Sequence, residues 1–137
     1  MTSVPDPLVP VLAVVGTGLI GGSFAAALRR VGQVGRVLGV GRQPASLRRA
    51  RELGLIDEVV DLSQAAAQAD LIFLATPIGA MPAILKTLAP LLRPGTLVTD
   101  AGSTKSDVAR LARDILGDRH PQFIPGHPVA GSEMTGP

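Results

Sequence analysis

One loop near the end of the chain sets an imidazole and a carboxylate among glycines and a proline. It spans residues 126–133, with His127 between Gly126 and Pro128 and with Glu133 as its last residue. A neutral imidazole can accept the proton of a hydroxyl group at neutral pH. His127 is therefore a candidate general base, although a single histidine more often has a structural role.

A glycine-rich turn near the start of the chain has the residues of a phosphate-binding loop. These residues are Gly16, Thr17, Gly18, Leu19, Ile20 and Gly21. They follow an apolar run and open a helical pattern, the context in which such a turn binds a dinucleotide. Gly16 permits the tight turn, Gly18 lets the backbone approach a pyrophosphate, and Gly21 allows close packing of helix on strand. The turn predicts a dinucleotide site, and a purely structural turn is the weaker interpretation.

The end of the second predicted strand bears on the choice of cofactor. Sites selective for NAD place a carboxylate about 20 residues after the glycines, where it binds the ribose 2′-hydroxyl. Gly41 stands there instead and Arg42 follows it. A 2′-phosphate would meet no like charge at this position, and Arg42 could bind it. We expect NADP rather than NAD, with Ser46, Arg48 and Arg49 as further candidate contacts.

Two other strand ends should face the same site. Ala75, Thr76 and Pro77 follow a strongly apolar run, and their backbone would line the nicotinamide side of the crevice. An ordinary turn at a strand end would have the same sequence. Ser103 either caps the next helix or directs its hydroxyl into the site, and Asp100 is a weaker candidate for orienting the loop.

The elements that position these residues alternate regularly along the chain. Short apolar runs predict strands at residues 11–15, 37–40, 58–60, 71–75, 97–99 and 122–124. Helical spacing predicts helices at residues 20–31, 44–53, a short stretch from 63, 81–92 and 104–116. Alternating strands and helices joined by short turns favour a doubly wound parallel sheet with helices on both faces, a three-layer α/β fold.

Length and composition limit the remaining possibilities. The 137 residues, 46% of them hydrophobic, suit one domain with a single sheet. The chain has no cysteine, which excludes disulfides, thiolate metal sites and a cysteine nucleophile. We expect no metal site and a cytoplasmic location. Residues 7–28 are uncharged but contain four glycines and no basic start, so we expect neither a signal peptide nor a membrane span.

The first third of the chain is basic. No acidic residue lies between Pro7 and Arg51, while seven arginines occur from Arg29 to Arg51. This pattern fits either a solvated face on two helices or a field that attracts phosphate to the cofactor site. The chain has no Trp or Tyr on which bases could stack, so we expect no nucleic-acid partner.

Four segments together resemble the prephenate/arogenate dehydrogenase family of tyrosine biosynthesis. They are residues 16–23, residues 76–77, residues 100–105 and residues 126–133. The resemblance implies a dinucleotide-binding domain of the Rossmann type in an NAD(P)-dependent enzyme. The implied reaction is oxidative decarboxylation of prephenate to 4-hydroxyphenylpyruvate, or of arogenate to tyrosine.

The resemblance also implies roles for individual residues. His127 matches the family's catalytic histidine, which hydrogen-bonds the ring 4-hydroxyl and polarises it as hydride leaves. Ser103 matches a serine that helps to orient that hydroxyl and the histidine. Glu133 matches an acidic residue near the substrate entrance, and Lys105 is the cation in this crevice available to a substrate carboxylate.

Members of this family continue past such a loop into a helical domain that forms a dimer and contributes to substrate binding. We therefore expect residues 1–137 to be the cofactor domain alone, which binds dinucleotide as a monomer without turning over prephenate, whereas the full-length protein is a homodimer. Arogenate dehydrogenase with NADP, a β-hydroxyacid-type dehydrogenase and a non-catalytic NADP-binding module remain alternatives.

Overall fold

The computed structural model describes residues 8–16, 19–100 and 105–124. Within them the strands are β1 (Val9–Val15), β2 (Val34–Val40), β3 (Glu58–Val59), β4 (Leu71–Leu74), β5 (Leu97–Asp100) and β6 (Phe123–Ile124). The α-helices are α1 (Leu19–Arg30), α2 (Pro44–Glu52), α3 (Leu62–Gln68), α4 (Met81–Leu88) and α5 (Lys105–Leu116), with 3₁₀ turns at Ile78–Ala80 and Gly117–Gln122. In this part of the chain no helix is both long and apolar enough to cross a membrane.

All strand pairs in the sheet are parallel, and the strand order is β3-β2-β1-β4-β5-β6. The chain builds outward from β1 to β3, then returns to the centre and builds outward from β4 to β6. Val15 at the end of β1 is in register with Val40 of β2 and with Leu74 of β4. The predicted doubly wound fold is confirmed, and its direction of winding changes between β1 and β4.

The central strand explains why the sheet needs helices on both faces. Residues 12–15 of β1 are at most 4% exposed, and their side chains alternate between the two faces. Leu12 and Val14 join the core under α1 and α2, where the rings of Phe24 and Phe73 stack with centroids 4.0 Å apart. Ala13 and Val15 join the larger core under α3, α4 and α5.

The predicted helix boundaries lie within one residue of the observed ones except at the end of α4. Helix α4 ends at Leu88 rather than near residue 92, because Pro90 has no backbone N–H with which to continue the helical hydrogen bonds. Helix α3 begins at Leu62, one residue before its predicted start at residue 63, because Asp61 caps it. The Asp61 carboxylate accepts the backbone N–H of Gln64 at 2.8 Å, and this bond lowers the pKa of that carboxyl.

Two aspartates align the strands at the amino-terminal edge of the sheet. Asp70, immediately before β4, donates its N–H to Val11 O at 2.8 Å and accepts the Val11 N–H on Oδ2 at 2.9 Å. Asp57, before β3, makes the same pair of bonds with Val37, both at 2.8 Å. Each carboxylate has an arginine nearby: Arg29 lies 2.6 Å from Asp57, and Arg93 lies 3.8 Å from Asp70. These bonds fix the register of strands whose other ends carry the site.

We predict that Gly35→Ala destabilises the sheet. A Cβ at position 35 of β2 would lie 2.5 Å from Pro10 O of β1, a backbone atom held in the ladder. The free energy of unfolding should fall by about 1–3 kcal/mol, the usual cost of overpacking. Urea unfolding followed by circular dichroism measures it.

Gly95→Ala is the matched control, because nothing lies within 4 Å of a Cβ at that position. Its free energy of unfolding should stay within about 0.5 kcal/mol of the wild type. Equal unfolding midpoints for the two variants would contradict the backbone clash.

Candidate functional site

A crevice of about 640 Å³ opens at the carboxyl-terminal ends of β1, β2 and β4. Its described lining residues are Val15, Gly16, Val40, Gly41, Arg42, Gln43, Ser46, Leu62, Thr76, Pro77, Ala80, Ala83, Ile84 and Thr87. Open parallel sheets bind ligands at this edge, at the point where the winding reverses. The volume is in the range of about 300–1,000 Å³ that small-molecule sites occupy.

Gly16 forms the floor of the crevice, and three strand ends meet at it. Its N–H donates to Val40 O at 2.7 Å, which ties the turn after β1 to the end of β2. Its φ is +89°, and a Cβ there would lie 2.8 Å from Ala75 O and 3.0 Å from Thr76 Cγ2, just after β4. Only glycine combines this backbone angle with so close an approach. Gly16, Gly41 and Thr76, which were predicted as site residues after β1, β2 and β4, therefore border one space.

Thr76 places a hydroxyl beside this floor. The Thr76 Oγ1 atom is buried and has no hydrogen-bond partner among the described residues. A buried hydroxyl without a partner is costly, and such groups concentrate at sites that hold ligands. The glycine floor and this hydroxyl fit a polar ligand that lies close to the backbone.

One wall of the crevice, from Gly41 to Ser46, is cationic. Arg42 has no carboxylate within ion-pair distance in the described part of the chain, and none of the lining residues is acidic. Helix α2 begins at Pro44, and its N-cap residue Gln43 makes no side-chain cap. The first-turn amides of α2 therefore keep their positive partial charge near Arg42. This wall can hold an anion.

Gly41 leaves space on the same wall. A Cβ at this position would meet only the side chain of Leu47, at 3.4 Å or more, which is ordinary contact. Its φ lies outside the left-handed region. The position therefore tolerates a larger side chain, and the absence of a carboxylate there is not dictated by space.

The opposite wall is mostly apolar, and sequence reasoning did not predict it. Ala80, Ala83, Ile84 and Thr87 come from α4 and the turn before it, and Leu62 begins α3. Helical spacing predicted a helix over residues 81–92, but it gave no sign that Ala80 and Ala83 would line a site. The packing role of Gly22 was not predicted from the sequence either. A Cβ there would lie 2.9 Å from Leu55 Cδ1, so this glycine lets the segment after α2 pack on α1.

The predicted site residues fall into three groups. Those that line the crevice are Gly16, Gly41, Arg42, Ser46, Thr76 and Pro77, and Ala75 adds its backbone beside Gly16. Leu19, Ile20 and Gly21 form the first turn of α1, and Lys105 is the first residue of α5. Those that lie outside the described residues are Thr17, Gly18, Ser103, His127 and Glu133.

Three further candidates, Asp100, Arg48 and Arg49, lie outside the described lining of the crevice. Asp100 ends β5 and is 2% exposed, so its carboxylate lies inside the sheet edge rather than on the surface. Arg48 and Arg49 are exposed on α2 and are not among the described lining residues. Arg42 is therefore the arginine of this block that lines the crevice in the described part of the chain.

Comparison with protein families and curated proteins gives a consistent result. The family model described as "Prephenate dehydrogenase, nucleotide-binding domain" matches residues 24–137. The prephenate dehydrogenase of Lactococcus lactis subsp. cremoris is 39% identical over 126 residues, covering 91% of this chain and 35% of the relative. The cyclohexadienyl dehydrogenase of Zymomonas mobilis is 35% identical over 127 residues, covering 92% and 43%. The chain thus spans less than half the length of these relatives.

Solved structures agree with the sequence comparisons. Prephenate dehydrogenase from A. aeolicus, in complex with hydroxyphenyl propionate and NAD⁺, has a TM-score of 0.79 and 35% identity over 89% of this chain and 42% of its own. Synechocystis arogenate dehydrogenase has a TM-score of 0.73 and 41% identity over 85% and 40%. Octopine dehydrogenase, at 18% identity and a TM-score of 0.66, shares the fold alone.

We predict that Gly16→Ala strains the floor of the crevice. The new side chain would meet Ala75 O in a left-handed backbone conformation, which costs about 1–3 kcal/mol in the free energy of unfolding. Gly79→Ala, in the 3₁₀ turn before α4, is the control because nothing lies within 4 Å of its Cβ. Chemical denaturation compares the two variants, and equal stability would show that the β1 turn can relax away from β4.

Proposed function

The chain belongs to the prephenate dehydrogenase family, and on this premise we propose that it is the cofactor-binding part of an NAD(P)-dependent dehydrogenase acting on prephenate. The observation that carries the proposal is the crevice itself, which lies where the winding of the sheet reverses. Its floor is a glycine that allows close backbone approach, and one wall is cationic. The product would be 4-hydroxyphenylpyruvate, formed with loss of carbon dioxide.

The described residues fit a nicotinamide dinucleotide. Gly16 leaves room for a pyrophosphate beside the backbone, and α1 begins three residues later, so its amide dipoles point toward the same edge. When bound, the nicotinamide supplies the acceptor for the hydride that leaves the substrate ring. Thr76 and Pro77 would line the reacting end of the crevice.

We favour NADP over NAD for the same reasons that favour an anion on the Gly41–Ser46 wall. An NAD-type carboxylate would fit at position 41 but is missing, so nothing repels a 2′-phosphate there. The guanidinium of Arg42 and the first-turn amides of α2 offer charge-assisted hydrogen bonds to it. Ser46 adds a hydroxyl, which donates only weakly to Gln43 at 3.4 Å.

For the chemical step we propose His127 as the group that binds and polarises the ring 4-hydroxyl, with Ser103 orienting it. The sheet supports their proximity. Ser103 follows the end of β5 by three residues, and His127 follows the end of β6 by three. These strands pair in parallel, with Thr99 opposite Ile124, so their chain continues from the same edge. Three residues of chain span at most about 10 Å.

The remaining roles concern the acidic substrate. Lys105, at the start of α5, is proposed to attract a prephenate carboxylate, and Glu133 to lie near the substrate entrance. Loss of carbon dioxide makes the ring aromatic and drives the reaction, so the protein mainly has to position the substrate and polarise its hydroxyl.

Arogenate is the second candidate substrate, supported by the likeness to the Synechocystis enzyme. Turnover assays of the full-length protein with both substrates and both cofactors decide between them.

The choice of cofactor gives a direct test. Isothermal titration calorimetry should show tighter binding of NADP than of NAD to this chain, and Gly41→Asp should reverse the order because its carboxylate repels the 2′-phosphate and accepts from a 2′-hydroxyl. Gly41→Asn is the control: it has the same size without the charge, and should keep the preference for NADP. Equal or tighter binding of NAD to the wild type would overturn the assignment.

The catalytic proposal is tested by His127→Asn in the full-length enzyme. Turnover of prephenate should fall by about 100-fold or more, the usual scale for a positioned acid–base group, while the Kd for cofactor stays unchanged. Ser103→Ala should lower turnover in the same direction by a smaller factor. Near-normal turnover in the His127 variant would assign this residue a structural role.

A further inference from the structure

The crevice has two chemically different walls that face each other. The wall from Gly41 to Ser46 is polar and cationic, whereas Ala80 and Ala83 on the other side end at Cβ and leave a flat apolar surface. Ile84 and Leu62 extend that surface. A ligand that spans both walls needs an anionic group and a flat ring. The 2′-phosphoadenosine part of NADP has both, and its ring would lie against the alanine wall.

This wall carries one hydroxyl. Among the described lining residues of α3 and α4, Thr87 is the one with a polar side chain. Its Oγ1 donates to Ala83 O, one turn earlier, at 3.1 Å. Because the hydroxyl proton is engaged in the helix, the lone pairs are what Thr87 offers to a ligand.

We propose that Thr87 accepts a hydrogen bond from the 6-amino group of the adenine and so determines which purine the crevice prefers. This inference rests on the proposed function. The 6-position distinguishes the purines: adenine carries an amino donor there, whereas an oxo-purine such as hypoxanthine carries an acceptor. An acceptor on the wall can bind the 6-amino group of adenine and would be repelled by the 6-oxo group of hypoxanthine.

The expected selectivity is modest because Thr87 is exposed and water competes for the same bond. A neutral hydrogen bond of this kind corresponds to about a twofold to tenfold difference in Kd. The effect is large enough for calorimetry and too small to abolish binding. A variant that removes the bond should still bind the dinucleotide.

The experiment measures Kd for adenine and hypoxanthine dinucleotides, in both the NADP and NAD series, because the 6-position is common to the two. The wild type should bind the adenine form about twofold to tenfold more tightly. In Thr87→Val, which keeps the branched shape and loses the oxygen, the ratio should fall to about one in both series. Thr87→Ser restores a hydroxyl and should restore the preference.

The outcomes separate the two proposals. If the wild type binds none of the four dinucleotides, the proposed function fails. If binding is intact but Thr87→Val keeps the wild-type ratio, only the role of Thr87 is overturned. Urea unfolding of each variant checks the fold, and Thr87→Ala provides a second removal of the hydroxyl should the valine variant not fold.

Discussion

The site depends on one close contact between backbone segments. At Gly16 the chain leaves β1 in a left-handed conformation, and the Gly16 N–H donates to Val40 O at the end of β2. Gly16 also lies so close to the residue after β4 that a Cβ at this position would be 2.8 Å from Ala75 O. A side chain at this point would push the first turn away from β4, and the three strand ends would no longer enclose a common space. The crevice therefore results from the backbone packing of a glycine, to which the surrounding side chains add charge and shape.

The charges in the first third of the chain divide by position. At the sheet edge away from the crevice, Arg29 pairs with Asp57, and Arg36 lies 3.6 Å from Glu58, so these arginines are neutralised by acids that follow the basic stretch in sequence. Arg42 lies at the other edge without such a partner in the described residues. Arg29 and Arg36 thus fit a solvated face, whereas Arg42 is the arginine whose position would suit a phosphate-attracting field.

Much of this architecture could be predicted from local pattern. The alternation of apolar runs with helical spacing gave the strands, their parallel pairing and the edge at which ligands bind, because each of these follows from periodicity and turn residues. The predicted end of α4 was wrong because the apolar spacing continues to residue 92, whereas Pro90 removes a backbone N–H before that point. The alanine wall could not be predicted, since the role of Ala80 and Ala83 depends on which residues lie across the crevice from them. The pairing of Asp57 with Val37 and of Asp70 with Val11 joins residues far apart in sequence, and no local signal marks it.

The two edges of the sheet are held together by different contacts. At the amino-terminal edge, the carboxylates of Asp57 and Asp70 accept backbone N–H groups of the neighbouring strands and hold the strands in register. At the opposite edge, backbone hydrogen bonds join Gly16 to Val40 and Ala75 to Val15, and the flanking residues 41–46 are exposed. Exposed residues at this edge can change while the buried contacts that hold the sheet stay the same. Substitutions at residues 41–46 should therefore change which ligands this wall accepts with little effect on the stability of the domain.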